Sequence, residues 1–215
     1  MDEYRLLSRN FKLKEFFYSD IAERSPGLKR EQYNPPFNVI ENLEYLVRTA
    51  LQPLRDALGY PIQITSGYRA RSLNELVGGS TRSQHCAGEA ADCTLSDNFL
   101  SDPHSVEVRD HISGEFKRIT GLSPEGKVNA NFFLWAFCSL NLERFDIDQV
   151  IHEYGDDYGR PAWVHISASR RQNRRQIVLI GEYTGRKYLR KPKVDALKLI
   201  AERAGVESKS ESAPR

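Results

Sequence analysis

Apolar residues recur at intervals of three and four from Val39 onward. Ile40, Leu43, Leu46, Val47, Ala50, Leu51, Leu54 and Leu58 fall on one side of a 3.6-residue spiral. The spacing predicts an amphipathic helix over Val39–Leu58, ended by Gly59-Tyr60-Pro61. Residues 11–24 mix apolar and charged positions at helical spacing as well, and Tyr33-Asn34-Pro35-Pro36 is a turn between the two. The period then changes. Ile62–Thr65 alternates and reads as a strand; Arg71–Val77 reads as a short helix, Gly78-Gly79-Ser80 as a loop, and Ala90–Leu95 as a second strand. Residues 96–130 are polar and broken by Pro103, Gly114, Gly121, Pro124 and Gly126, which predicts an insertion or substrate-side loop with little regular structure. Asn131–Leu142 is an apolar helix. Asp148–Glu153 and Ala162–Ser167 are strands joined by a turn over residues 155–159, and Gln176–Ile180 is a further strand. Lys193–Ala204 reads as a last helix, and residues 206–215 as a polar, disordered tail. Strands mixed with helices, without strict βαβ alternation, predict an α+β fold with a small, mainly antiparallel sheet in a single domain over residues 1–205.

Composition narrows the function classes. The chain has 215 residues, enough for a substantial core, and its 40% hydrophobic and 28% charged content is ordinary for a globular protein. A net charge of +2 gives a weak overall field. Basic residues do cluster locally, at Arg170, Arg171, Arg174 and Arg175 and again at Arg186, Lys187, Arg190, Lys191 and Lys193. Such clusters form solvated faces or hold anionic polymers. No aromatic-rich RNA motif or zinc-finger spacing accompanies them, so no nucleic-acid partner is expected. The three cysteines, Cys86, Cys93 and Cys138, are odd in number and irregular in spacing, which excludes a disulfide framework. Cys86 and Cys93 flank candidate metal ligands, but Cys93 alternates to the opposite side from Asp92 and is expected in the core. The N-terminus has no apolar signal region, and no run approaches a membrane span. The expectation is a monomer made in the cytoplasm without a signal peptide.

The candidate chemistry lies in two stretches. Ser83-Gln84-His85-Cys86-Ala87-Gly88-Glu89-Ala90-Ala91-Asp92 sets a histidine and a carboxylate six residues apart among small residues, and Trp163-Val164-His165-Ile166-Ser167 carries a second histidine on a strand. Two histidines, one carboxylate and a fourth position for water form a ligand set of catalytic zinc sites. Taken alone, His85 and Asp92 read first as a loop histidine and an ordinary hydrogen-bonded acid. His165 changes that balance, because Val164 and Ile166 face the core and it points away from them. If Asp148–Glu153 and Ala162–Ser167 pair as a hairpin, Glu153 lies beside His165, where a general base is needed. Asp156 and Asp157 in the turn are alternatives. His104, His111 and His152 fall outside the ligand set.

Ser66-Gly67-Tyr68-Arg69, Ser83-x-His85-x-x-Gly88-x-Ala90-x-Asp92 and Trp163-Val164-His165, in that order, resemble the M15 zinc peptidases. These include D-Ala-D-Ala carboxypeptidases, vancomycin-resistance dipeptidases and L-alanyl-D-glutamate endolysins of phages. The resemblance covers about Phe11 to Ile180 and is nearest to a branch common in phages and prophages. It implies the hedgehog/D-Ala-D-Ala-peptidase fold, a Zn2+ cofactor held by His85, Asp92 and His165, and a peptidoglycan peptide as substrate. It implies that Arg69 binds the substrate carbonyl or stabilises the developing oxyanion, and that Ser83 hydrogen-bonds near the substrate or braces the His85 loop. Trp163 and residues 96–130 are candidate cleft walls. Many relatives carry an acid three residues before the last histidine, where this chain has Ala162, so the base role falls to Glu153. The expected activity is D,D-carboxypeptidase or stem or cross-bridge endopeptidase action on the wall, after holin-dependent release or from a virion. A non-catalytic, zinc-containing wall-binding or virion structural module is the alternative, as hedgehog domains of this fold illustrate.

Overall fold

The computed structural model describes residues 4–124, 128–171 and 173–204. The 206–215 tail expected from composition lies outside them. The order is α1 (Leu13–Phe17), α2 (Asp20–Glu23), α3 (Pro26–Gln32), α4 (Phe37–Leu46), α5 (Gln52–Leu58), β1 (Gln63–Ser66), α6 (Arg71–Leu76), β2 (Ala90–Thr94), α7 (Val106–Thr120), α8 (Ala130–Leu140), β3 (Gln149–Gly155), β4 (Trp163–Ser167), β5 (Gln176–Gly181), β6 (Leu189–Lys191) and α9 (Lys193–Ala204). The fold is α+β. Its sheet has six strands in the order β1-β2-β4-β3-β5-β6, antiparallel except for β3 against β5.

The long helix expected over residues 39–58 exists, with one change. Between α4 and α5, Val47–Leu51 forms a π turn. Pro53 sits just beyond it, in the first turn of α5. Proline has no N–H to give the carbonyl four residues back, so the ladder is relieved by one wider turn. The buried stripe survives: Val39, Leu43, Leu46, Val47, Ala50, Leu51, Leu54 and Leu58 are all inside. Residues 11–24 form two short helices rather than one, split at Tyr18-Ser19, and Ser19 caps α2 by accepting the Ala22 N–H.

Residues 96–130 depart most from expectation. They hold two 3-10 turns, Asp97–Leu100 and Pro103–Ser105, and then the 15-residue helix α7. Asp102 accepts the His104 N–H where the chain turns in, and α7 ends at Gly121. Only Ile112 and Phe116 of α7 are buried, a stripe too thin for apolar periodicity to reveal. The helix is fixed by packing on α8, where the Phe116 and Phe132 ring centroids lie 5.3 Å apart. It packs also on α9. The segment is therefore scaffold rather than an irregular loop.

Alternation divides the sheet cleanly. Ala91, Cys93, Val150, Val164, Ile166, Ile177 and Leu179 face α8 and the main core. Asp92, Ile151, Glu153, His165, Val178 and Arg190 share the opposite face. α8 is hydrophobic on all sides and buried over Ala130–Ser139, as a helix inside a core must be. Cys93 and Cys138 are buried with it.

Candidate metal centre

His85 stands in the 3-10 turn Gln84–Ala87. Gly88 closes that turn at φ 71°, and a Cβ there would meet the Val39 carbonyl at 2.6 Å, so both the backbone conformation and the fit under α4 require glycine. The turn is clipped to the segment after β1 from two sides. The Arg69 N–H donates to the His85 carbonyl at 3.2 Å, and His85 Nδ1 donates to the Gly67 carbonyl at 2.6 Å. Gly67 has no room for a side chain either, since its Cβ would lie 2.6 Å from the Phe16 backbone.

Asp92 comes from β2 and His165 from β4, directly opposite each other in the ladder. The His85 Nε2 to His165 Nδ1 distance is 3.1 Å, and each nitrogen is 3.2 Å from Asp92 Oδ1. All three side chains are buried. A carbonyl can only accept, so the Gly67 contact puts the His85 proton on Nδ1 and leaves the Nε2 lone pair aimed at Asp92 and His165. Burial by itself would raise the Asp92 pKa. The two imidazoles reverse that and hold the carboxyl well below the usual range. Lone pairs so gathered repel unless a proton or cation sits among them. Ligand atoms at roughly 2.0–2.1 Å from a tetrahedral zinc ion stand about 3.3 Å apart, which is the spacing of this triangle. The donor set therefore fits zinc.

The remaining groups surround the triangle. An Arg69 terminal nitrogen lies 3.3 Å from Asp92 Oδ2, the oxygen turned away from the histidines. Arg69 Nε is buried without a partner. Glu153 faces Trp163 in the register, one diagonal step from His165, which pairs with Ile151. The glutamate is 6% exposed. Burial pushes its pKa up to about 7; His165 and Arg69 oppose that rise and the Asp92 charge adds to it. Trp163 flanks Glu153, with the Tyr154 ring 4.9 Å from its own. The Ala162 N–H donates to the Glu153 backbone carbonyl, so this position helps hold the strand that carries the glutamate.

Other sequence candidates lie elsewhere. Asp156 is tied to Arg160 and accepts the Tyr158 and Arg160 N–H groups; Asp157 faces Arg203 at 3.9 Å. Neither is turned to the triangle. His152 is on the core face, bonded to the Gly159 carbonyl and the Tyr183 hydroxyl, and burial lowers its pKa to about 4. His104 and His111 are exposed. Ser83 lines a cavity of about 600 Å³ with Tyr68, Arg71 and Cys86, which none of the three ligand candidates lines.

One supporting network has no signal in the sequence. Asp148, at the start of β3, receives a two-pronged ion pair from Arg174 and a 2.9 Å hydrogen bond from Gln84 Nε2; Arg174 also donates to Gln84 Oε1 at 3.0 Å. This ties the His85 turn to β3 and to the approach of β5. The basic cluster at 170–175 is thereby largely neutralised, since Arg170 pairs with Glu41 and Arg175 with Asp146. It is not a free anion-binding face. Isolated residues far apart in the chain carry no periodicity or spacing that could have indicated such a network.

The Peptidase M15 family model matches residues 10–112. That span contains Arg69, Ser83, His85 and Asp92. A search of curated proteins returns no match. Among the described residues no helix is long and apolar enough to cross a membrane.

Proposed function

We propose that this chain, whose residues 10–112 match the Peptidase M15 family model, is a zinc-dependent peptidase acting on a peptide bond of bacterial peptidoglycan, as a D,D-carboxypeptidase or as a stem or cross-bridge endopeptidase in phage or prophage lysis or entry. The observation that carries the reading is the buried triangle of His85 Nε2, Asp92 Oδ1 and His165 Nδ1 with Glu153 beside it. His85, Asp92 and His165 would hold the ion, which supplies Lewis acidity and an acidified water.

The protein groups do the rest. The Gly67 carbonyl fixes the His85 tautomer, so the correct nitrogen is presented without rearrangement. Arg69 holds the outer oxygen of Asp92 and leaves positive charge beside the reacting carbonyl, where an oxyanion develops. Glu153 accepts the proton of the attacking water and passes it to the leaving amine. A carboxyl kept near pKa 7 by burial is matched to both halves of that transfer. Trp163 forms a wall of the cleft. Ser83 braces the His85 turn, its carbonyl accepting the Cys86 N–H at 3.1 Å.

The test joins zinc stoichiometry to mass spectrometry of peptidoglycan fragments from several wall chemotypes. Expected are about one zinc per chain and a product: loss of terminal D-Ala for a carboxypeptidase, freed stems or cut cross-bridges for an endopeptidase. Glu153→Gln should keep zinc and lose about 10²–10⁴-fold in turnover. Zinc-loaded protein that yields no product from any chemotype would replace this reading with the wall-binding or virion structural module.

A further inference from the structure

The three candidate ligands are not held in the same way. Asp92 and His165 lie opposite each other in the β2–β4 ladder, so main-chain hydrogen bonds fix their separation. His85 stands outside the sheet, in the 3-10 turn Gln84–Ala87, and no ladder sets its distance from His165. Yet the two ring nitrogens are 3.1 Å apart. Donor lone pairs held so close repel until a cation is bound, and the turn is the element with freedom to recede.

Two sets of contacts oppose that retreat. One runs to the segment after β1, through the Gly67 carbonyl and the Arg69 N–H. The other runs through side chains. Gln84 Nε2 donates to Asp148 Oδ2 at 2.9 Å, and Gln84 Oε1 accepts from an Arg174 terminal nitrogen at 3.0 Å. Both ends of one amide are used, so a shorter or an apolar side chain cannot reproduce the link.

Asp148 is the anchor. Its side chain is 1% exposed and accepts the Arg174 Nε at 2.9 Å. Its N–H donates to the Ser167 carbonyl at 2.7 Å, and its own carbonyl accepts the Gln176 N–H at 2.9 Å. An acid fixed through both side chain and main chain is a rigid post. Gln84 directly precedes His85, and Ser167 follows His165 by one intervening residue on β4. The contacts Gln84–Asp148–Ser167 therefore close a path from one histidine to the other that does not pass through the metal position.

We propose that Gln84 is a positioning residue for the metal centre: clamped between Asp148 and Arg174, it holds His85 at ligand distance from His165, so that the ion meets a preformed site. Groups that orient a metal ligand without touching the metal contribute about 10–100-fold in affinity. The inference rests on the zinc reading of His85, Asp92 and His165, and the experiment keeps the two separable.

Gln84→Met keeps the length of the side chain and removes both hydrogen bonds. Gln84→Asn stays polar but is one methylene too short to span the pair. Zinc Kd is measured by chelator competition, under conditions where denaturation curves show each metal-free chain to be fully folded. Both variants should bind zinc about 10–100-fold more weakly than the parent. A merely structural contact would lower the denaturation midpoint and leave Kd unchanged, because affinity measured on a fully folded population contains no folding contribution. Arg170→Ala, which removes the ion pair to Glu41 and leaves Gln84 untouched, should keep Kd within about twofold. Variants at Gln84 whose Kd stays within about twofold of the parent overturn the proposal. Zinc binding that weakens as expected, with no hydrolysis of any peptide by the parent, counts against the peptidase reading alone. A parent that binds no zinc overturns both.

Discussion

A buried carboxyl with a pKa near 7 makes folding stability depend on pH in a direction that can be worked out beforehand. Glu153 is 6% exposed and its pKa rises from 4.5 to about 7, chiefly through burial. The folded protein therefore holds a proton that the unfolded chain releases. Stability from this group is complete below pH 4.5 and is lost as pH rises through about 7. A difference of two and a half pH units corresponds to about 3 kcal/mol in the metal-free protein. Glu153→Gln keeps the shape and cannot ionise. Relative to the metal-free parent, it should gain stability by about 3 kcal/mol between pH 4.5 and pH 9, or roughly 6–12 °C in Tm for a chain of this size. The assay is chemical denaturation of chelator-treated protein at several pH values. Added zinc should diminish or invert the gain, because a cation beside His165 favours the ionised glutamate. If parent and variant keep a constant stability difference across that range, Glu153 is not a desolvated carboxyl, and the case for it as base loses its physical ground.

Three further outcomes follow from the same geometry. If Glu153 works ionised, kcat/KM should fall as pH drops through an acid limb at or below about 7; a limb above 7 would exclude it, and Glu153→Gln should abolish the limb. His165→Ala removes one of the three donors and should lower zinc content by inductively coupled plasma analysis; unchanged stoichiometry would exclude it as a ligand. Phe116→Ala should cost about 3–5 kcal/mol in denaturant melts, because α7 is held to α8 by this ring; a loss under 1 kcal/mol would return 96–130 to the status of a loose insertion.

Much of this architecture is legible wherever local periodicity and burial agree. The 39–58 stripe, the Lys193–Ala204 helix and the alternation of Trp163–Ser167 are local patterns, and each formed the expected element. Pro53 was visible in the sequence, but its effect on the helix depends on the ladder around it. Helix α7 was hidden because it buries only two side chains, and the partner that fixes it, α8, lies beyond it in the chain. β6 is three residues long and carries two basic residues, so only pairing with β5 makes it a strand.

The same division applies to the site. By itself the sequence determined which residue types could hold a metal: the side-chain chemistry of His85, Asp92 and His165, with parity turning His165 away from the core, made them candidates, and the family resemblance joined them into one set. It also put Glu153 beside His165 on condition that the two strands pair, a register the structure supplies. Tertiary structure alone decided the rest. Strand order put β4 between β2 and β3, which brings residues 73 apart in the chain to 3.2 Å. The Gly67 carbonyl, supplied by the turn after β1, chose the His85 tautomer. Burial, which belongs to no single residue, moved the Glu153 pKa toward neutrality. Parity is a property of the local backbone, whereas register, desolvation and hydrogen-bond partners arise only when distant segments meet.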